Sequence, residues 1–395
     1  MDETDASWRS VSAGLVVMRL VDSWIEDGAT PSRVDAWGVS SVREAIAEVA
    51  GSTPLRRMLT GIVDAIVSST SVDMHAVIPR LMAYGQALEY DAKWSIAADV
   101  YRTIVAHAHP TDDADVVVSA YIQLAICCRT IGELDDAADA YNTASCVALA
   151  AGDMIGVLRG RLGDAKVAMA RGNMPQAELI LDETILRAQA GGHDELQARA
   201  LVDRAFVAGS RGEHDRAIRY SYEALDLSSS QRERDRILMN IATAFRFLGL
   251  LDAARDSYLI VAATTQEQYV RWFCELNMLE LAADQRSELQ FDRYRRDLES
   301  ADLTPQLRVM YLLNVGRGYQ SFGRAEASVS YLESAIAMAS AHKLNQLLFE
   351  AEAALAAAHR SEPRTERSAT PIEIDPSVQS VIGAIRNMKQ MAGAG

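Results

Sequence analysis

The sequence predicts an all-α protein, an α-α superhelix of repeated helix pairs, and three observations predict it. Prolines number nine and aromatic residues make up 6% of 395 residues, while long Ala- and Leu-rich stretches are amphipathic at helical spacing. A Gly followed five places on by a small residue recurs: Gly132 with Ala137, Gly172 with Ala177, Gly212 with Ala217, Gly249 with Ala254, and Gly323 with Ser328. A further small residue stands seven places before each turn, at Gly85, Ala125, Ala165, Ala205, Ala242 and Gly316.

The steps between turn glycines are 40, 40, 37 and 74 residues. The last is twice 37, which places a degenerate copy at Arg286, with Phe291 in the Ala position and Leu279 in the earlier small position. A step of 40 back from Gly132 reaches Ala92, followed by Ala97, so the count is seven copies. The chemistry is that of a helix-turn-helix unit. Glycine closes the first helix in a left-handed cap. The small residue lets the second helix approach its neighbour. Nine places after the turn comes a large side chain: Tyr101, Tyr141, Leu181, Tyr258 and Leu332, with Ser221 and Arg295 departing.

This spacing resembles the tetratricopeptide repeat over roughly residues 78–342. The stretch Ile237 to Val261 (Leu238, Ile241, Ala242, Phe245, Gly249, Ala254, Tyr258) carries the resemblance best, with Tyr121 to Ala144 beside it. Periods of 37 and 40 exceed the family's usual length of about 34, so some helices are expected to be longer by about a turn.

Around the array, residues 1–75 form a helical N-terminal cap with patterns at Trp8 to Glu26, Ser40 to Ala50 and Pro54 to Ser68. Arg56 and Arg57 are too few, and too mixed with apolar neighbours, for a DNA-reading helix. Residues 76–360 hold the seven pairs and a capping helix from Leu344 to His359. Residues 361–376 read as a linker, with prolines, alternating charge and no period. Residues 377–395 form a tail in which Val378, Val381, Ile382, Ile385, Met388 and Met391 share one helical face. Such a tail helix docks on its own chain (residues 377–391) or on a partner, or stays partly disordered.

Composition narrows the function. The net charge is -15, from 39 Lys+Arg against 54 Asp+Glu, which argues against general nucleic-acid binding. No apolar run of about 20 residues is expected to cross a membrane, and Met1-Asp2-Glu3-Thr4-Asp5 is unlike a secretory start. Cys127, Cys128, Cys146 and Cys274 form no CxxC pair and read as inert buried thiols in a reducing cytoplasm. Lys occurs only four times among the 39 basic residues, an Arg bias that suggests a bacterial source. No motif for metal-dependent hydrolysis, dinucleotide binding, phosphate cradling or a nucleophile elbow is present, so the expectation is a non-enzyme without cofactor or metal. His107 and His109 with Asp112 and Asp113 read as a solvated loop.

The groove remains. First helices line it, and nine places before successive turns stand Asn240, Asn277 and Asn314, each 37 apart. The tetratricopeptide resemblance implies that such an Asn holds a peptide backbone, donating and accepting at once; the alternative is a bond inside the array. Arg129, Arg159, Lys166, Arg199, Arg236, Arg246 and Arg317 share the inward face, with Glu89, Glu280 and Asp284 opposing them. Arg clusters favour carboxylates, and Phe206, Phe247 and Met239 add apolar contact. The expected function is a cytoplasmic scaffold or adaptor holding an acidic or C-terminal peptide of a protein partner, with Asn240, Asn277, Asn314, Arg236, Arg246, Arg317, Lys166 and Arg129 in the site. A second reading is a signalling regulator, because the layout is similar to bacterial peptide-pheromone-regulated sensors; the N-terminal helices are then the output. A third is a tail helix that fills the groove until a partner displaces it.

Overall fold

All seven turns expected from the repeat are closed by a left-handed residue. Gly132, Gly172, Gly212, Gly249 and Gly323 have φ between 73° and 91°. The two copies without glycine do the same with side chains in place: Ala92 has φ 56° and Arg286 has φ 53°. In each turn the following N–H reaches back over the helix end, from Lys93 N to Leu88 O at 2.8 Å through Ser287 N to Ala282 O at 2.9 Å and Arg324 N to Tyr319 O at 2.8 Å. This is the Schellman closure, which satisfies carbonyls that the helix end leaves open.

The structure is a computed structural model describing residues 3–27, 38–49, 54–68, 74–108, 114–342, 344–360 and 374–393. The chain divides into two units, residues 1–193 and 194–395. In the first unit, α1 (Glu3–Asp27), α2 (Val39–Ala47) and α3 (Pro54–Ser68) pack on one another, and α3 packs on the first repeat helix. Trp24, Val21, Leu59, Ile62 and Ile66 are buried there. Three pairs follow: α4 (Met74–Tyr90) with α5 (Trp94–His107), α6 (Ala114–Ile131) with α7 (Leu134–Ala150), and α8 (Met154–Ala170) with α9 (Met174–Ala190). Helix α6 is long and apolar enough in average composition to cross a membrane, although Asp115 and Arg129 interrupt its apolar residues. It is a core helix, burying Val117, Val118, Ile122, Leu124, Cys127 and Cys128 against α5, α7 and α8.

The second unit holds four pairs: α10 (Asp194–Ser210) with α11 (His214–Leu227), α12 (Gln231–Phe247) with α13 (Leu251–Thr264), α14 (Gln268–Asp284) with α15 (Glu288–Glu299), and α16 (Pro305–Ser321) with α17 (Ala325–Ala341). Helix α18 (Asn345–His359) packs on α17 and α16, and the tail helix α19 (Pro376–Met391) packs on α13 and α11.

The period has a simple origin. A 40-residue copy such as α7–α8 alternates 17-residue helices with three-residue turns, and its turn between pairs is also left-handed, at Gly152. In the 37-residue copy after Gly249 the second helix is three residues shorter: α13 has 14, and it is followed by Thr265 in extended backbone, φ -70° and ψ 138°. Across the array the length varies in the second helix and in the connection that follows it, as α5 (14 residues, with α6 starting only at Ala114) and α15 (12 residues, with α16 starting at Pro305) show. The degenerate copy keeps its register by a trade. Phe291 fills the small-residue position, and Gly318 on α16 makes room, since a Cβ there would lie 2.2 Å from the Phe291 ring. That ring packs edge-on against Tyr319 and Phe322 at 5.6 and 5.1 Å.

Candidate functional site

The first helices of the second unit carry the expected Asn column. Helix α12 is tied to α14 by Arg246, whose Nε donates to Asp284 Oδ2 at 2.9 Å and whose Nη2 donates to Glu280 Oε1 at 2.5 Å. Helix α14 packs on α16. Asn240 on α12 is exposed, Asn277 on α14 is half-buried, and Asn314 on α16 is buried at 7% exposure. Their bonding follows that gradient. Asn314 Nδ2 donates across to Leu276 O at 3.4 Å, and Asn277 Nδ2 donates to Phe273 O of its own helix at 2.7 Å. The column also extends one copy further than the Asn pattern suggests, because Asp203 on α10 stands nine places before Gly212. Its residue type hid it.

Apolar surface lies beside the exposed end. Phe206 and Phe247 are 60% and 51% exposed. The Phe247 ring stacks on His214 with centroids 4.7 Å apart and 6° between planes.

The basic residues behave differently from the expected open positive face. Arg246 is committed inside the chain. Burial pulls against its charge, but Glu280 and Asp284 outweigh that and hold the guanidinium above its ordinary range. Arg236 pairs with Glu233 on its own helix. Arg199 meets Glu195 at 2.7 Å, and Arg317 meets Glu350 of α18 at 3.9 Å. Glu195, Glu233 and Glu350 were missed because they do not stand at the same heights as the arginines they meet.

Lys166 and Arg129 belong to the first unit, on α8 and α6, and both are half-buried. Arg129 lies against Tyr141. Burial pushes that phenol up, and the hydrogen bond and charge of Arg129 draw it partly back. On α8, Asp164 is pushed up to about 6 by burial, with Arg161 opposing the shift from 3.8 Å. Glu89 accepts from Tyr101 Oη at 2.5 Å.

The cysteines divide. Cys127 and Cys274 are buried, and burial first pushes both thiols up to about 12, which keeps them protonated. Cys146 is exposed, unlike the expectation. Cys128 lies with Glu133 and Asp136, a set with metal-ligand chemistry. The cation among them is Arg102, 2.9 Å from Glu133 and 3.6 Å from Asp136. Of the His107 loop cluster, His109, Asp112 and Asp113 lie outside the described residues.

The left-handed turns, the small residues and the pairing define a tetratricopeptide-like helical repeat protein. No protein-family model matches the chain, and no curated protein matches it in sequence. Solved structures do. The apo form of the quorum sensor NprR from B. thuringiensis aligns at a TM-score of 0.52 and 14% identity, over 86% of this chain and 88% of that chain. A tetratricopeptide repeat protein from Parabacteroides merdae aligns at 0.47 and 11% identity, over 70% and 98%. A Rap conjugation gene regulator of plasmid pLS20, solved with the Phr* peptide, aligns at 0.47 and 11% identity, over 90% and 99%.

Proposed function

We propose that the chain is a cytoplasmic, non-enzymatic binding protein that takes an extended peptide segment along the first-helix face of its second unit. The observation that carries this reading is the polar column Asp203, Asn240, Asn277 and Asn314, whose three Asn residues run from exposed to buried and which is flanked by the exposed rings of Phe206 and Phe247. A peptide backbone needs donors and acceptors at regular intervals, and Asn supplies both. Asn240 offers its whole amide to a ligand; Asn277 and Asn314 offer chiefly their carbonyl oxygens, since their amide nitrogens already donate. Arg199 and Arg236 recruit the ligand's carboxylates. Their present ion pairs are half-exposed, and such pairs contribute about 1 kcal/mol at most, so a ligand carboxylate exchanges with Glu195 or Glu233 at little cost. Lys166 and Arg129 are the corresponding candidates in the first unit.

The test is selection from a peptide library with free C-termini, followed by calorimetry of the best peptide. Asn240→Ala, at an exposed position, is expected to lower affinity roughly tenfold without shifting the melting temperature. Unchanged affinity rejects the groove. The second reading, a peptide-responsive regulator with α1–α3 as output, is favoured by one observation: the likeness to a protein named as a quorum sensor extends over 86% of this chain. Peptide-dependent hydrogen exchange in α1–α3 tests it.

A further inference from the structure

Second helices of this array leave their outer face open, and α13 is the exception. The positions four, seven and eleven after each left-handed turn mark that face. In α11 they are Arg216, Arg219 and Glu223, all exposed. In α5, α7, α9, α15 and α17 none of them is buried. In α13 they are Ala253, Asp256 and Ile260, and all three are buried, at 6%, 9% and 4% exposure.

The cover is α19. It packs on α13 and α11, burying Val378, Val381 and Ile385. Four places on, Lys389 Nζ meets Asp256 Oδ1 at 3.0 Å. At the opposite end, Asp375 lies in the field of Arg219 on α11. One ion pair at the C-terminal end and a longer-range attraction of opposite charges at the N-terminal end agree with the direction in which the helix lies. The tail therefore does not fill the groove of first helices, the place the sequence suggested for it.

Helix α19 also carries its own start signal, independent of the array. Pro376 is its first residue, and the Asp375 side chain accepts from Ser377 N at 2.8 Å. Three of its apolar side chains are buried, Ile382 and Met388 only half-buried, and Gly383 in its middle weakens it. Thirteen residues, 361–373, connect it to the described end of α18 at Arg360. Belonging to the same chain makes its docking intramolecular, which holds a weakly binding helix in place.

We propose that the α11–α13 face is a helix-docking site that the chain's own α19 occupies reversibly. Its ligand class is an amphipathic helix with apolar residues at spacings of three and four and a Lys four places after the last, the pattern of Val378, Val381, Ile385 and Lys389. The protein then has two binding faces, the first-helix groove and this one, and the second is independent of the peptide reading above.

The probe is a labelled peptide of residues 374–393, titrated into the full chain. The wild-type chain should bind it weakly, because the resident tail competes. The full chain carrying Val381→Asp and Ile385→Asp releases its own tail and should bind the peptide at least about tenfold more tightly. Adding Asp256→Lys should weaken that binding, and a Lys389→Asp peptide should restore it. Equal affinity for the wild-type and opened chains overturns the proposal. Hydrogen exchange on the wild-type chain gives a second reading that needs no variant. Amides of residues 376–391 should exchange through an opening at least about a hundredfold more frequent than that of α12. Exchange at the same rate as α12 also overturns it.

Discussion

Helices α8 and α14 occupy the same place in their copies and hold their neighbours by opposite means. Helix α8 lies close against α7 because it has no side chains in the way. A Cβ on Gly163 would sit 2.1 Å from the Tyr141 ring, and one on Gly160 would sit 3.0 Å from Tyr141 O. Helix α14 keeps its side chains and reaches α12 by charge, through Glu280 and Asp284 on Arg246. Three glycines, Gly156, Gly160 and Gly163, each cost helix stability of about 1 kcal/mol, which tight packing must offset. The ion-pair contact costs desolvation instead. One repeat phase thus accommodates two chemistries, because the phase fixes only where helices turn and which residues must be small.

Substitutions separate the two. The largest effect is expected from Gly163→Val, where the added carbons overlap a buried ring: a loss of about 3 kcal/mol, insensitive to salt, read by denaturant unfolding. Arg246→Leu comes next. It leaves two carboxylates facing each other without their cation and should cost about 2 kcal/mol, discounted because the cluster is not fully dry. Adding Glu280→Leu and Asp284→Leu should recover most of that loss; if the triple variant is as weak as the single, charge is not what joins α12 to α14.

A smaller effect depends on pH. Burial raises the folded Asp164 carboxyl from its ordinary 3.8 to about 6. The folded state then holds a proton that the unfolded chain releases, so this group's contribution to stability is most favourable below about pH 4 and falls as pH rises to about 6. Asp164→Asn should stabilise by roughly 1 kcal/mol above pH 6, after allowance for solvent screening, and by little below pH 4. The smallest effect is a gain. Arg286→Gly removes a side chain from left-handed backbone and should stabilise by about 0.5 kcal/mol, the relief exceeding the entropy that glycine adds to the unfolded chain. A loss on that substitution would mean the Arg286 side chain holds the degenerate turn.

Most of the fold was legible in the sequence because turns are local. Ala92 and Arg286 were found by counting, and both adopt the backbone that counting assigned them. Gly152 and Gly192 escaped, although they are left-handed as well, because no small residue follows five places on: Val157 and Gln197 stand there. The candidate site was less legible. An Arg on a helix reads as groove-facing charge, but whether Glu233 or Glu350 reaches it depends on rotamers and on neighbouring helices. The tail showed its apolar face plainly, whereas its acceptor did not. Ala253, Asp256 and Ile260 have the composition of an ordinary solvated helix face until something lies on them.

The left-handed residues at 132, 152, 172, 192 and 212 are spaced every 20 positions. A segment such as Glu133–Gly172 therefore begins just after, and ends on, the same backbone conformation. Copying that stretch of gene in tandem would join one such turn to the start of an identical helix pair, with no new junction to invent. The inheritance of this array can proceed by unequal recombination, in whole copies, and each added copy is free to drift toward its own packing chemistry.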